Sequence, residues 1–153
     1  MEAFLRSKLK HGKFVDVSSC RSRIMSSIKG KSNITTERTL RLALVRAGIA
    51  GWQLHRKDVP GSPDFYFPAR PLAIFADGCF WHGCPKCGHT PRTRRSFWSA
   101  KISRNQLRDK RNKRRLTRRG IQVFRFWEHD LRHPDGLERA VTKIKLALSK
   151  QLF

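Results

Sequence analysis

The sequence predicts an α/β protein, a central mixed β-sheet flanked by helices in the order α-β-β-β-α-β-α. Three observations predict it. Segments with helical spacing of apolar residues alternate with short runs rich in β-branched and aromatic residues. The run LAIFAD (72–77) is nearly all apolar, as expected of a central strand buried on both faces. The segment before it, PGSPDFYF (60–67), is a Pro/Gly turn leading into an aromatic strand. Only the turn PARP (68–71) separates the two strands, so they pair antiparallel.

The first helix is predicted over 32–48, SNITTERTLRLALVRAG. Asn33, Thr35 or Thr36 can cap it, Leu40, Leu44 and Ala47 form its stripe, and Gly48 ends it. Glu37 shares that buried face one turn from the start, where an acid either answers the helix dipole or is aimed at a site. GWQLHRKD (51–58) alternates weakly and predicts a strand. A long helix follows over 94–120, with an inward stripe of Trp98, Ile102, Asn105, Asp109, Asn112 and Leu116. The stripe is polar in its middle, and a carboxylate at Asp109 on that face needs a partner. IQVFRFWEHD (121–130) predicts the last strand, beside LAIFAD. A helix over 134–150 closes the chain, with Leu137, Val141, Ile144 and Leu148 inward. Residues 1–20 read as a basic tail and 21–153 as one domain, with RSRIMSSIKGK (21–31) as a short helical turn.

The charge is lopsided. Lys and Arg number 34 against 11 Asp and Glu, a formal net charge of +23, while 39% of the 153 residues are hydrophobic. The composition is that of a folded domain whose positive surface calls for a polyanion, DNA or RNA before an acidic membrane. No apolar run long enough to span a bilayer is present, and the N-terminus has no apolar h-region. Crowded cysteines argue against a disulfide framework and for reduced thiols in a cytoplasmic or nucleoid setting.

Three of the four cysteines fall in GCFWHGCPKCGHT (78–90). Cys79, Cys84 and Cys87 have the spacing C-x4-C-x2-C in a Gly/Pro-rich loop, as in zinc knuckles. A structural zinc site needs a fourth ligand. His89 closes awkwardly, whereas His129 ends the strand beside LAIFAD, so the expected set is Cys79, Cys84, Cys87 and His129. Such a knot would hold Phe80 and Trp81 rigidly beside a basic helix, where aromatics can wedge between base pairs.

The acids form a second expectation. Asp64 and Asp77 fall at the adjoining ends of neighbouring strands, with Glu37 and Asp109 on inward helical faces. Hard oxygen ligands of this kind hold Mg²⁺ for phosphodiester cleavage, and His82 can serve as a general base. Each acid could instead simply pair with one of the abundant arginines.

Together these residues resemble a known family, the very short patch repair endonucleases of the PD-(D/E)xK, restriction-endonuclease-like superfamily. The matching pieces are RSRIMSSIKGKSNITTE, PGSPDF, IFADGCFWHGCP, FWSAKISRNQLRD and VFRFWEHDL, in the family's order over 21–131. The resemblance implies a restriction-endonuclease-like core and a Mg²⁺-dependent enzyme, which as a single polypeptide with one site is expected to act as a monomer. It would nick one strand of duplex DNA 5′ of the thymine of a T:G mismatch, leaving 3′-hydroxyl and 5′-phosphate ends. It implies that Asp64 is the central Mg²⁺ ligand, Glu37 the helical glutamate of the site, His82 the histidine that activates water and Asp109 its supporting acid. Phe80, Trp81 and Trp98 then resemble the intercalating aromatics, and Cys79, Cys84, Cys87 and His129 the zinc ligands. Asp77 stands where the best-known members carry a second catalytic histidine, and the expectation is that Asp64 shares its Mg²⁺ with Asp77 or with the Ala76 carbonyl. Two other readings remain: a homing or restriction-type nuclease cutting matched DNA, and a non-catalytic, zinc-stabilised nucleic-acid-binding module. The second leaves the buried acids without a task.

Overall fold

The computed structural model describes residues 2–8 and 36–149. Among the described residues nine elements follow in order: α1 (Glu2–Ser7), α2 (Glu37–Arg46), β1 (Gln53–Leu54), β2 (Phe65–Phe67), β3 (Leu72–Asp77), α3 (Arg95–Arg118), β4 (Gln122–Trp127), α4 (Glu128–Arg132) and α5 (Pro134–Ser149). The four strands lie side by side in sequence order. β1–β2 and β2–β3 are antiparallel, while β3–β4 is parallel, as a helical crossover through α3 requires. The sheet is mixed and flanked by helices, the predicted α/β fold.

Alternation along the strands divides the interior into two layers. Phe65, Phe67, Leu72, Ile74 and Phe124 face Leu40 and Leu44 of α2, Leu131 of α4, and Ala140 and Ile144 of α5. On the opposite face Ala73 and Phe75 pack with Val59, Ile121 and Leu116 of α3. β3 feeds both layers, which explains why LAIFAD is apolar at nearly every position.

The stripe predicted for the long helix is buried or half-buried throughout, ending on fully buried Leu116, and Phe97 joins it. Three details differ from expectation. Thr36 stands at the N-cap of α2 but makes no capping hydrogen bond through its side chain. β4 ends at Trp127, so His129 sits in the first turn of the short helix α4 rather than at the end of a strand. α1 is a helix inside the segment read as a tail: Leu5 is buried, and Glu2 pairs with Arg104 of α3 at 2.7 Å. The turn expected over 21–31 and the possible caps Asn33 and Thr35 lie outside the described residues, as does Cys20.

Candidate active site and metal centre

The cysteine loop leaves β3 and folds back on itself. Cys84 N–H bonds to Cys79 O at 2.9 Å and Gly88 N–H to Cys84 O at 2.8 Å. Two glycines make this tightness possible. Gly83 has a left-handed φ of 63°, and a Cβ on Gly88 would come within 2.4 Å of the Cys84 carbonyl oxygen.

The turn gathers three sulfurs around one imidazole. His129 Nδ1 lies 3.3 Å from Cys79 Sγ and 3.5 Å from each of Cys84 Sγ and Cys87 Sγ. One ligand atom from each of the four residues falls within 4.8 Å of all the others. Three sulfurs and a nitrogen are the donor set of a structural zinc. Burial, with the neighbouring thiols, pushes Cys79 up to about 12, and a bound cation would favour its thiolate. His129 Nε2 is buried and 3.3 Å from Asp130 Oδ1, but makes no well-aligned hydrogen bond. The predicted four ligands therefore converge, with His129 delivered by α4.

A second group forms at the same open end of the β2–β3 hairpin, where Asp64 precedes β2. Asp64 Oδ2 accepts the Ala76 N–H at 2.8 Å, which ties the acid to the neighbouring strand. Glu37, in the first turn of α2, is only 6% exposed, and its Oε1 lies 3.0 Å from His55 Nε2. His55 Nδ1 faces Asp64 Oδ1 at 3.9 Å. Glu37, His55 and Asp64 bring one ligand atom each within 4.8 Å of one another. Burial pushes Asp64 up to about 6, and the charges of Glu37 and Asp77 push the same way, against the Ala76 N–H and His55. Two acids crowded out of water in this way suit a divalent cation.

His55 was not foreseen. Leu54 pairs with Phe65, so the next step of the antiparallel register sets His55 opposite Asp64. That register was readable in principle, since two strands closing around the PGSPD turn place residue 55 across from residue 64. β1 is only two residues long and alternates too weakly to announce it.

The third group lies across Phe75 from Asp64. Asp77 does not join the Asp64 set. Arg125, from β4, holds both its oxygens, Nε to Oδ2 at 2.5 Å and Nη2 to Oδ1 at 2.7 Å. The guanidinium also sits 4.9 Å from the Phe75 ring centroid. The expectation that Asp64 and Asp77 share one ion is therefore not the arrangement found. A carboxylate gripped at both oxygens by arginine is a poor metal ligand. The signal for this was a lone arginine amid the aromatic residues of VFRFW, which has to meet an acid once buried.

His82 and Asp109 meet as expected. His82 Nδ1 is 2.6 Å from Asp109 Oδ2, and Arg125 Nη2 reaches the same oxygen at 3.2 Å. Burial works against the Asp109 charge, but the His82 bond and Arg125 outweigh it and hold the carboxyl below the usual range. Asn105 donates to the Trp81 carbonyl at 2.9 Å, so α3 also steadies the loop.

Phe80, Trp81 and Trp98 come together, half-buried, with centroids 5.0 Å apart for Phe80–Trp81 and 5.3 Å for Phe80–Trp98. Lys101 Nζ lies 5.5 Å from the Trp81 ring. No helix among the described residues is long and apolar enough to cross a membrane.

With this geometry in place, comparison with known proteins is decisive. Residues 15–88 match the family model for DNA mismatch endonuclease Vsr. The Vsr endonuclease of Escherichia coli is 35% identical over 126 residues, covering 80% of this chain and 79% of its own. The chain belongs to the Vsr family. It is a DNA endonuclease of that type. Among other relatives, the type II nicking enzyme V.XorIIP of Xanthomonas oryzae is 38% identical over 123 residues, 79% of this chain and 88% of that one. The type II nicking enzyme V.NaeI of Lentzea aerocolonigenes is 41% identical over 118 residues, 72% of this chain and 68% of that one.

Proposed function

We propose that this Vsr-family enzyme nicks one strand of duplex DNA at T:G mismatches, using Mg²⁺ held by Asp64 and Glu37 and a structural zinc held by Cys79, Cys84, Cys87 and His129. The observation that carries the reading is the pairing of an oxygen-rich group at Glu37 and Asp64 with a His82–Asp109 dyad next to it. A divalent ion held by Asp64 and Glu37 would supply Lewis-acid polarisation of the scissile phosphate and favour ionisation of water.

The chain's own residues do the rest. A carboxylate only accepts, so the Asp109 contact calls for a proton on His82 Nδ1, an assignment that follows from the hydrogen bond. In the neutral ring Nε2 then keeps its lone pair and takes a proton from the attacking water. Asp109 orients the ring and stabilises the imidazolium that results. Arg125 keeps Asp109 ionised, and Asp77 anchors Arg125; this is the role we assign to Asp77 in place of metal binding. Water's oxygen bonds to phosphorus as the bond to the 3′ oxygen breaks, and that oxygen takes a proton from solvent, leaving 3′-hydroxyl and 5′-phosphate ends. Phe80, Trp81 and Trp98 wedge into the stack beside the mismatch, held by the zinc loop on one side and α3 on the other. The names of the relatives, a mismatch endonuclease and several nicking enzymes, support one-strand cleavage. The enzyme is proposed to act as a monomer on chromosomal DNA in the cytoplasm.

The test separates chemistry from binding. Asp64→Asn should lower cleavage of a T:G duplex by at least about 10³-fold while leaving duplex affinity intact. Cleavage by this variant at the wild-type rate defeats the assignment.

A further inference from the structure

We propose that His55 is a third ligand of the metal site, and that its nitrogen makes the site bind a borderline divalent ion such as Mn²⁺ in preference to Mg²⁺. The inference rests on the reading of Asp64 and Glu37 as metal ligands.

The backbone places His55 for this. Continuing the β1–β2 register by one residue sets it across from Asp64, and its N–H bonds to the Pro63 carbonyl at 3.1 Å, beside the acid. Its φ of 50° lies in the left-handed region, which non-glycine residues seldom occupy unless their surroundings hold them there. The side chain is 21% exposed, against 8% for Glu37. It lies between the two acids, with Nε2 at 3.0 Å from Glu37 Oε1 and Nδ1 at 3.9 Å from Asp64 Oδ1. A histidine serving only as a partner for Glu37 would need one nitrogen near one carboxylate. Here both nitrogens face carboxylates, and the three side chains have ligand atoms within 4.8 Å of one another.

The ligand chemistry then sets the ion. Mg²⁺ favours oxygen ligands and retained water, whereas imidazole nitrogen adds affinity for first-row transition ions. Two carboxylates and one imidazole make a mixed set that accepts either ion and ranks Mn²⁺ above Mg²⁺.

The test is pulsed EPR on the full-length, zinc-loaded protein with Mn²⁺ added, read for nitrogen-14 modulation from a directly bound imidazole. The wild type should show it. His55→Gln should lose it while still binding Mn²⁺, and by calorimetry its preference for Mn²⁺ over Mg²⁺ should fall about tenfold. His82→Gln should keep the signal. Mn²⁺ bound with no nitrogen modulation overturns the role of His55 and leaves Asp64 and Glu37 standing. The same holds for a signal abolished by His82→Gln. No Mn²⁺ binding, or binding indifferent to Asp64→Asn, overturns the underlying metal site as well. If His55→Gln fails to fold, Asp64→Asn decides: the modulation must vanish with the acid, and a signal that persists places the nitrogen elsewhere and refutes the inference.

Discussion

A buried carboxylate persists as a charge only beside a partner, and Asp77, 4% exposed, has Arg125 on both oxygens. Arg125→Met should therefore cost about 3–5 kcal/mol of stability by chemical denaturation, because Asp77 is left uncompensated. Adding Asp77→Asn should recover most of that loss. A double variant no more stable than the single would show that Arg125 matters through something other than Asp77. Asp109 offers a pH test. Its folded-state pKa is depressed, so its contribution is fully present above the ordinary carboxylate range and is lost as pH falls through the folded value. The stability gap between wild type and Asp109→Asn should thus be widest near neutrality and shrink below about pH 4. A gap that widens in acid would contradict an Asp109 carboxylate held ionised by its neighbours.

At the scale of elements, the loop after β3 is gathered by its sulfur–nitrogen knot together with its own turns and the bond from Asn105. Removing the metal with a soft-metal chelator should lower the melting temperature and free Phe80 and Trp81, visible as a change in tryptophan emission. Unchanged melting after confirmed removal would count against a structural role for zinc. The elements also show what could be read in advance. α3 was legible because a stripe from Trp98 to Leu116 repeats over about five turns, and β3 because burial on both faces leaves an apolar run. The sulfur ligands were legible because spacing alone brings them together, Glu37 and Asp109 because they fall on inward helical faces, and Asp64 because it stands at a strand end. His55 and the grip of Arg125 on Asp77 were not, since each arises from strand register rather than from local pattern. Register in a two-residue strand is fixed by its neighbours.

For the whole molecule, a formal charge of +23 and a long helix crowded with arginine make phosphate contact the main source of affinity. Binding to duplex DNA should weaken about a thousand-fold or more between 50 and 200 mM salt, as for proteins making many phosphate contacts. A flat dependence would exclude phosphate as the principal partner. The mixed sheet places the proposed metal ligands, the His82 dyad and the aromatic cluster around one end of β3. In the proposed reading, recognition and hydrolysis are thereby set against the same DNA segment. The most direct test of this arrangement is a strand-resolved cleavage assay with divalent metal, on otherwise identical duplexes containing a T:G mismatch or a T:A pair. The account predicts a single nick in the thymine strand, 5′ of the mismatched base, with the T:A duplex left intact. Equal cutting of the matched duplex, or cleavage of both strands, would contradict it.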